Sequence, residues 1–355
     1  MKKNNMNMKK VRLALLSLLL MLAGHASAAQ FTVEDFEIAA NETKTIYINL
    51  DNTETIYGFL LWIDLPEGIT VAAEGDQLNV FNTSRWRNCF IEANYSEKDE
   101  VYKITGASTR SVTGQSGALL EVEITASDMV ATGPHTVKIS HQSITVDNAE
   151  GNAEVVPQQD SEFICTTRID TKIAASGYGS FSWPRALDFS ACEGVDKVYV
   201  GGGDANGKLS LVEVASKQVP AGTGVVLKGT TGTVNPSTME TEPAGDQGTL
   251  TPTYAEAYEV TADNTIYVLK TGSKGTGFYP CASGVVVPKY KVYLEREASQ
   301  GANMLSMVED GTTGIDAVEA ADAAEAPLYT VSGARVTRPT QKGIYVSEGK
   351  KVVIK

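Results

Sequence analysis

The sequence predicts an all-β protein in which a β-sandwich is followed by a second β-rich domain and a short C-terminal β element. Two observations carry this prediction. Apolar residues alternate with polar ones in many short runs, as they do in strands that have one buried face. The runs are separated by short turns rich in glycine, proline, asparagine and aspartate, and no helix longer than a turn or two is indicated between residues 31 and 163.

The most informative segment is residues 57–71, YGFLLWIDLPEGITV, a strand that runs into a proline-glycine turn. Successive side chains of a strand point to opposite faces, so Phe59, Leu61 and Ile63 are predicted to share one core-facing side. The other side carries Trp62 next to Asp64. It must therefore be covered by a neighbouring sheet, a partner or a ligand.

Residues 1–28 are predicted to be a cleaved signal peptide. They combine a basic start, an apolar run over 13–23 and the small-residue sequence Ala26-Ser27-Ala28. The chain is therefore expected to be exported, with the outer surface or the extracellular space as its destination and the periplasm as the alternative. No other apolar run reaches the roughly 18 residues needed to span a bilayer.

The charge of the chain restricts its partners. Removal of residues 1–28 takes away five positive charges and changes the formal net charge from −13 to −18. A strongly acidic surface argues against nucleic acid and anionic membranes. The predicted organisation after the signal peptide is a β-sandwich over 29–163, an all-β domain over 164–309, an acidic linker over 310–326 and a β element over 327–355.

The first domain resembles cohesin modules of secreted bacterial proteins. The resemblance rests on four segments in the same order as in those modules: FTVEDFEIAANETKTIYINLDNT, YGFLLWIDLPEGITV, SGALLEVEITA and ISHQSITVDNAEGN. It implies a jelly-roll, immunoglobulin-like β-sandwich related to that of several carbohydrate-binding modules. Because cohesins bind dockerins, it also implies recognition of an extracellular protein. The chain lacks a dockerin-like calcium repeat, so a dockerin is not the necessary partner.

Two further resemblances concern the rest of the chain. The segments ASGYGSFSWPRALDF and VPAGTGVVLKG resemble a small all-β module near the C-termini of large exported proteins of gut-dwelling Gram-negative bacteria. The segments YTVSGARV and GIYVSEGKKVVIK resemble the C-terminal element of those proteins, which is related to sorting domains of the type IX secretion machinery. The tail is therefore interpreted as a sorting element or as a structural cap.

The sequence motifs predict no catalytic residue, no cofactor and no metal site. Residues 202–208, GGDANGK, match the start of a P-loop, but Leu209 stands where serine or threonine should bind magnesium. Asn206-Gly207 indicates a hairpin turn instead. His135 and His141 are six residues apart and are expected on the same side of a strand. Two ligands are too few for zinc, so exposed strand histidines are the favoured interpretation.

Aromatic and basic side chains are the remaining contact candidates. Large aromatic side chains are more often core residues, but Trp86 has the better claim to exposure among the tryptophans, because Arg85 and Arg87 flank it in a polar stretch. Tyr57 and Trp62 are the other candidates for contact with a ligand or partner, although Trp62 is expected to pack against a neighbouring strand.

The four cysteines of the chain lie far apart in sequence, and an oxidising compartment would allow disulfides between them. Cys192 and Cys281 are the preferred pair because both fall in the second domain. Buried, reduced thiols are the alternative.

The function that these observations predict is non-enzymatic recognition or adhesion in an extracellular or cell-surface assembly, through the first domain. The alternative is glycan binding by the same domain in a polysaccharide-utilising bacterium, with exposed aromatic rings that stack on sugars. A third hypothesis is a hydrolase with an unrecognised pair of acids, which requires an open cleft with two carboxylates about 5 to 9 Å apart.

Overall fold

The computed structural model describes residues 29–87, 89–112, 116–147, 150–297, 301–309, 328–330, 335–336, 343–347 and 350–354. The predicted signal peptide (1–28) and the predicted linker (310–326) lie outside the described residues. Nearly all regular structure within these ranges is β-strand. No described segment forms a helix with the length and apolar character needed to cross a bilayer.

The first domain contains strands β1 to β14 and a 3-10 turn, Ser84–Trp86, between β8 and β9. In chain order the strands are β1 (Gln30–Thr32), β2 (Phe36–Ala39), β3 (Thr43–Asp51), β4 (Ile56–Asp64), β5 (Ile69–Val71), β6 (Ala73–Glu74), β7 (Gln77–Leu78), β8 (Val80–Asn82), β9 (Phe90–Ser96), β10 (Val101–Val112), β11 (Ala118–Ala126), β12 (Gly133–Asp147), β13 (Ala153–Pro157) and β14 (Ser161–Arg168).

These strands form the two layers of a sandwich, as the sequence predicted. One sheet has the order β1-β3-β11-β5, with β8 also paired to β11. The other, the seven-stranded sheet, has the order β2-β14-β12-β4-β10-β9, with β13 also paired to β12. A single apolar core joins the layers, and Phe59, Leu61 and Ile63 of β4 lie in it. The period-2 alternation of β4 therefore has the predicted orientation.

The predicted domain boundary between residues 163 and 164 falls inside β14. This strand pairs antiparallel with β12 and parallel with β2, so it belongs to the first sandwich along its whole length. The core changes directly after it: Cys165 packs in the first core, whereas Ile169 packs in the core of the second domain.

The second domain contains strands β15 to β30. In chain order they are β15 (Thr171–Ile173), β16 (Tyr178–Ser182), β17 (Leu187–Asp188), β18 (Val195–Ala205), β19 (Lys208–Glu213), β20 (Gln218–Val219), β21 (Gly224–Gly229), β22 (Gly232–Val234), β23 (Ser237–Thr238), β24 (Thr251–Pro252), β25 (Tyr258–Glu259), β26 (Ile266–Gly272), β27 (Gly275–Pro280), β28 (Val286–Val287), β29 (Val292–Glu295) and β30 (Leu305–Glu309).

A curled nine-stranded sheet organises this domain, in the order β16-β21-β18-β19-β30-β27-β26-β29-β24. Its two ends approach each other: the amide of Thr253, directly after β24, donates to the Ser182 hydroxyl of β16 at 3.3 Å. The Ser182 hydroxyl in turn donates to the Lys291 carbonyl, directly before β29, at 2.8 Å. The predicted hairpin at Asn206-Gly207 is confirmed. Both residues have positive φ, 52° and 73°, between β18 and β19.

Polar contacts connect the two domains. The Asp128 carboxylate lies 3.0 Å from Lys289 Nζ and 2.9 Å from the Tyr290 hydroxyl. Thr132 and Thr238 exchange hydrogen bonds, each backbone amide donating to the hydroxyl of the other residue at 2.8 and 2.9 Å. The domains therefore pack against each other through specific side-chain contacts.

The described residues of the C-terminal element form four short strands: β31 (Leu328–Thr330), β32 (Arg335–Val336), β33 (Gly343–Ser347) and β34 (Lys350–Ile354). They form one antiparallel sheet in the order β32-β31-β33-β34. The shortest of them, β32, pairs with β31 through two residues only, which is too short for a period-2 pattern to reveal.

Candidate interaction face

One side of the seven-stranded sheet points away from the core, and we call this side the outer face. Cross-strand pairing arranges its side chains in three rows that run from β9 to β12 or β13. Directly opposed residues of an antiparallel pair lie on the same face. The rows are Asn94–Lys103–Trp62–Ser140, Glu92–Thr105–Leu60–Ser143 and Phe90–Ala107–Gly58–Thr145–Val155.

Apolar side chains occur at the centre and at both ends of the outer face. Leu60 and Trp62 are half-buried at the centre, whereas Phe90 and Val155 at the ends are 64% and 63% exposed. The third row crosses five strands, a width of about 19 Å at the usual strand spacing of about 4.8 Å. Threonine, serine, lysine and glutamate side chains separate the apolar ones. This mixture of apolar anchors and polar neighbours is typical of recognition surfaces.

Trp62 is held in place by the two strands that flank β4. From β12, the His141 ring stacks on it with a centroid separation of 3.9 Å and an interplanar angle of 22°. From β10, Lys103 Nζ lies 4.1 Å from the centre of the Trp62 ring. The faces of the indole ring are thus engaged within the domain. This weakens the expectation that Trp62 stacks on a sugar, which needs a free ring face.

A β-bulge brings His141 to the outer face. Ser140 opposes Trp62 and Ser143 opposes Leu60, so two residues of β12 stand opposite Leu61 alone. His141 adopts a positive φ of 49°, and Gln142 takes the inward position, where it is 2% exposed.

The two histidines therefore do not share one side of the strand, and the expectation based on their even spacing is wrong. His135 lies before the bulge, with its Nε2 2.9 Å from the Ala131 carbonyl and 3.1 Å from the Thr167 hydroxyl. An extra residue inverts every later side chain of a strand. Among the described residues, no group of three or more histidine, cysteine, aspartate or glutamate side chains is placed to hold a metal ion.

Trp86 is not exposed, which corrects the sequence prediction. Its exposure is 0%, and its ring packs edge-on against Phe59 with centroids 5.4 Å apart. The 3-10 turn turns the indole inward, and the Thr83 hydroxyl caps this turn by accepting from the Arg85 amide. The indole N–H has no hydrogen-bond partner among the described residues. Trp86 is thus a core residue and cannot contact a ligand.

Arg85 is a structural residue, whereas Arg87 is exposed. The Arg85 guanidinium donates to the carbonyls of Leu50 and Gly117 and to the Asn52 side chain. Burial lowers the pKa of Arg85, opposed by the nearby carboxylate of Asp51. These contacts fasten the 3-10 turn to the end of β3. Of this predicted pair, only Arg87 presents its side chain to solvent.

Tyr57 lies near the start of β4, where its hydroxyl donates to Asp147 at 2.8 Å. Its side chain is half-buried. Of the five predicted contact residues, Trp62 lies on the outer face and Tyr57 lies at the start of the same strand. Leu60, Phe90 and Val155 are outer-face residues that were not among the contact candidates predicted from the sequence. The alternation around Leu60 was visible in the sequence, but the pairing that adds Phe90 and Val155 was not.

The predicted disulfide between Cys192 and Cys281 is not formed, and all four cysteines are free. The two residues pack against different cores, Cys192 against one that contains Phe189 and Cys281 within one that contains Tyr293. The Cys192 thiol donates to the Asn235 carbonyl at 3.1 Å. Burial raises the pKa of the thiols of Cys192 and Cys281, and it raises that of Cys165 to about 11. Such thiols are poor nucleophiles at neutral pH.

A groove of about 970 Å³ at the edge of the sandwich contains three acidic side chains. These acids are relevant to the hydrolase hypothesis, because that hypothesis requires two carboxylates in an open cleft. Asp35 accepts the Ile164 amide at 2.7 Å, and Glu37 lies 3.6 Å from Arg168. Glu34 is the third acid of the groove. Two of these carboxylates thus hold β14 and its neighbours together.

Comparison with known proteins finds similarity between part of this chain and solved cohesin structures. No family model and no curated protein sequence matches the chain. A non-cellulosomal cohesin from Archaeoglobus fulgidus is similar with 14% identity and a TM-score of 0.31, over 39% of this chain and 92% of that one.

Two further solved structures are similar at the same level. A type I cohesin–dockerin complex from Clostridium thermocellum matches with 13% identity and a TM-score of 0.33, over 40% of this chain and 99% of that one. A cohesin module of a family 33 glycoside hydrolase from Clostridium perfringens matches with 14% identity and a TM-score of 0.30, over 39% and 96%. Similarities this low do not transfer a partner or an activity to this chain.

Proposed function

We propose that the protein is a non-enzymatic recognition protein that binds an extracellular protein partner through the outer face of its first domain. The observation that carries the proposal is the exposure of Phe90 and Val155 at the two ends of a face that has Leu60 and Trp62 at its centre. Protein interfaces combine apolar and polar contacts, and a few large apolar side chains usually supply most of the binding energy.

The fixed position of Trp62 supports protein recognition further. Interfaces lose affinity when long side chains must be immobilised on binding. The contacts of Lys103 and His141 with the indole ring already restrict it. A partner would therefore contact the edge of a Trp62 ring that Lys103 and His141 already hold in one orientation. Trp86, the second candidate for sugar stacking, is buried and cannot contribute to glycan binding.

Export to the cell surface or the extracellular space is part of the proposal. The basic and apolar pattern of residues 1–28 and the resemblance of the tail to sorting elements support it. Fractionation of the producing cells, with the mass of the exported chain measured, tests it. We expect a chain that begins at Ala29. A chain that stays in the cytoplasm with residues 1–28 intact would contradict export.

The binding function is tested by affinity capture from the secretome of the producing cells, alongside a glycan array. The wild-type chain is compared with the double variant Leu60→Asp, Phe90→Asp on the outer face. The control is Tyr47→Ser, because Tyr47 is 48% exposed on β3 of the opposite sheet. We expect one defined protein to be retained by the wild type and by the control but lost with the double variant.

Other outcomes decide against the proposal. Glycan binding that the double variant abolishes would assign the outer face to carbohydrates. Retention of the same protein by the double variant would place the binding surface elsewhere. If the wild type retained neither protein nor glycan, the recognition function itself would be excluded under those conditions.

A further inference from the structure

Strand β26 in the second domain is paired on both sides over only a small part of its length. On one side it pairs with β27 from Tyr267 to Gly272. On the other side it pairs with β29 through Ile266 and Tyr267 alone. No other strand in the described part of the chain pairs with it. The segment 268–272 therefore has an unpaired edge, with backbone donors and acceptors that can template another strand.

A groove of about 490 Å³ lies beside this edge. Residues 268–271 of β26 form one wall, and residues 172–180, around β15 and β16, contribute to the other. Apolar side chains line the groove between them. Val285 and Val286, which also line it, are 42% and 53% exposed. An unpaired edge next to exposed valines is a feature that soluble proteins usually cover.

The charge of the groove is opposite to that of the whole chain. Lys172, Lys270 and Lys291 line it, and none of the described residues that line it is acidic. Lys291 Nζ contacts the Ser180 carbonyl at 3.3 Å. Burial, and then the proximity of Lys172, lowers the pKa of Lys291. A carboxylate placed in the groove would stabilise these ammonium groups. In a chain with a net charge of −13, this is a local preference for acidic ligands.

We propose that this groove binds an extended, acidic peptide segment of a partner protein, which adds to β26 as a further strand. Strand addition of this kind takes its affinity from backbone hydrogen bonds and its specificity from alternating side chains. The four residues 268–271 offer about 13 Å of edge at about 3.3 Å per residue, enough for a short added strand. The preferred sequence alternates apolar side chains, directed at the valines, with acidic ones near the lysines.

This surface lies in the second domain and is independent of the outer face of the first. The proposal therefore does not rest on the proposed function, and a variant can separate the two. Trp62→Ala on the outer face should leave peptide binding in the groove unchanged.

Fluorescence anisotropy with the full chain tests the proposal. The probe is a labelled seven-residue peptide of alternating valine and glutamate. One control peptide replaces glutamate by lysine, and another carries N-methyl groups on alternate amides, which removes the donors needed for strand pairing. We expect binding of the valine–glutamate peptide only, weakened by salt because the lysines lie near the surface.

Two protein variants locate the site. Lys270→Glu should weaken the peptide at least about tenfold, equivalent to about 1.4 kcal/mol. Lys274→Glu is the matched control, because Lys274 is exposed in the turn after β26 and does not line the groove. Comparable thermal unfolding of the two variants would show that the difference is not one of folding.

Three results would overturn the proposal. The first is a failure of the wild type to select the valine–glutamate peptide: it binds the valine–lysine or the N-methylated peptide with the same affinity, or it binds no peptide. The second is unchanged affinity in Lys270→Glu. The third is binding that appears only after the five acidic residues between 310 and 326 are changed to asparagine and glutamine. In that case the occupant would be the chain's own acidic segment and not a partner.

Discussion

The two sides of the seven-stranded sheet each carry a tryptophan, one as a buried core residue and the other as a partly exposed surface residue. Trp86 packs against the inner side, fully buried and in edge contact with Phe59. Trp62 lies on the outer side, half-buried between Lys103 and His141. Their sequence neighbours suggest the reverse, since Trp86 is flanked by two arginines and Trp62 by apolar residues. The side of the sheet on which a residue lies therefore decides its role more than its neighbours in sequence do.

The strongest test of this comparison is Trp86→Ala against Trp62→Ala. Removal of a fully buried aromatic ring typically costs about 3–5 kcal/mol, because it loses apolar burial and leaves a cavity. We expect that loss in the free energy of unfolding for Trp86→Ala, measured by urea denaturation. Trp62→Ala should cost about 1 kcal/mol or less, since its ring is partly exposed and its contacts are with polar side chains.

A third variant sharpens this test. Trp86→Phe keeps most of the apolar ring and removes the indole N–H, which has no partner among the described residues. An unsatisfied buried donor costs about 1–3 kcal/mol, so this variant should be much less destabilised than Trp86→Ala. Equal losses for Trp62→Ala and Trp86→Ala would contradict the assignment of the two sides.

The next largest effect is expected at Gly106, where the inner side has no room for a side chain. A Cβ atom there would lie 2.1 Å from Cε1 of Phe59. Gly106→Ala must therefore displace the Phe59 ring, which contacts Trp86, and overpacking of this kind costs about 1–3 kcal/mol. Urea denaturation of the first domain measures it.

The control for this variant is Gly203→Ala in the second domain, because a Cβ atom at Gly203 would have no neighbouring heavy atom within 4 Å. We expect a change within about 0.5 kcal/mol for the control. If Gly106→Ala were as stable as the wild type, the tight packing of Phe59 against the inner side would be refuted.

Arg85 and Arg87 extend the comparison to charged side chains on either side of Trp86. Arg85→Met leaves the carbonyls of Leu50 and Gly117 without the guanidinium that they accept from, which should cost about 1–3 kcal/mol. Arg87→Met changes an exposed side chain and should stay within about 0.5 kcal/mol. Thermal unfolding of both variants measures the difference. A larger loss for Arg87→Met would reverse the assignment.

The sequence was sufficient where local periodicity determines structure. The alternation of β4 predicted its core face, and Asn206-Gly207 predicted a hairpin, because both signals depend on neighbouring residues. It was insufficient where a single local event reverses a pattern. The bulge at His141 inverts the later part of β12, and the 3-10 turn directs Trp86 inward. Neither event has a sequence signal as strong as a period-2 run.

Features that depend on distant parts of the chain were also beyond prediction. Phe90 and Val155 belong to one row only because β9, β10, β4, β12 and β13 are adjacent in the sheet. The separation of Cys192 from Cys281 follows in the same way from the cores that each contacts. Such proximity is a property of topology, which one sequence does not specify residue by residue.

The smallest expected effect is on the outer side, at the ion pair between Asp99 and Lys103, whose atoms lie 2.5 Å apart. The hydrogen bond from Lys103, followed by that from Ser96, lowers the pKa of Asp99. A carboxylate with a lowered folded-state pKa stabilises the fold above its unfolded pKa of about 3.9, and this contribution is lost as pH falls through the lower folded value.

Asp99→Asn should therefore lower the melting temperature slightly at pH 7, and this difference should vanish near pH 2. The melting curves of both proteins at the two pH values measure this. A difference that persists unchanged in acid would mean that the asparagine acts through packing or backbone effects, and that the outer side gains no stability from this charge pair.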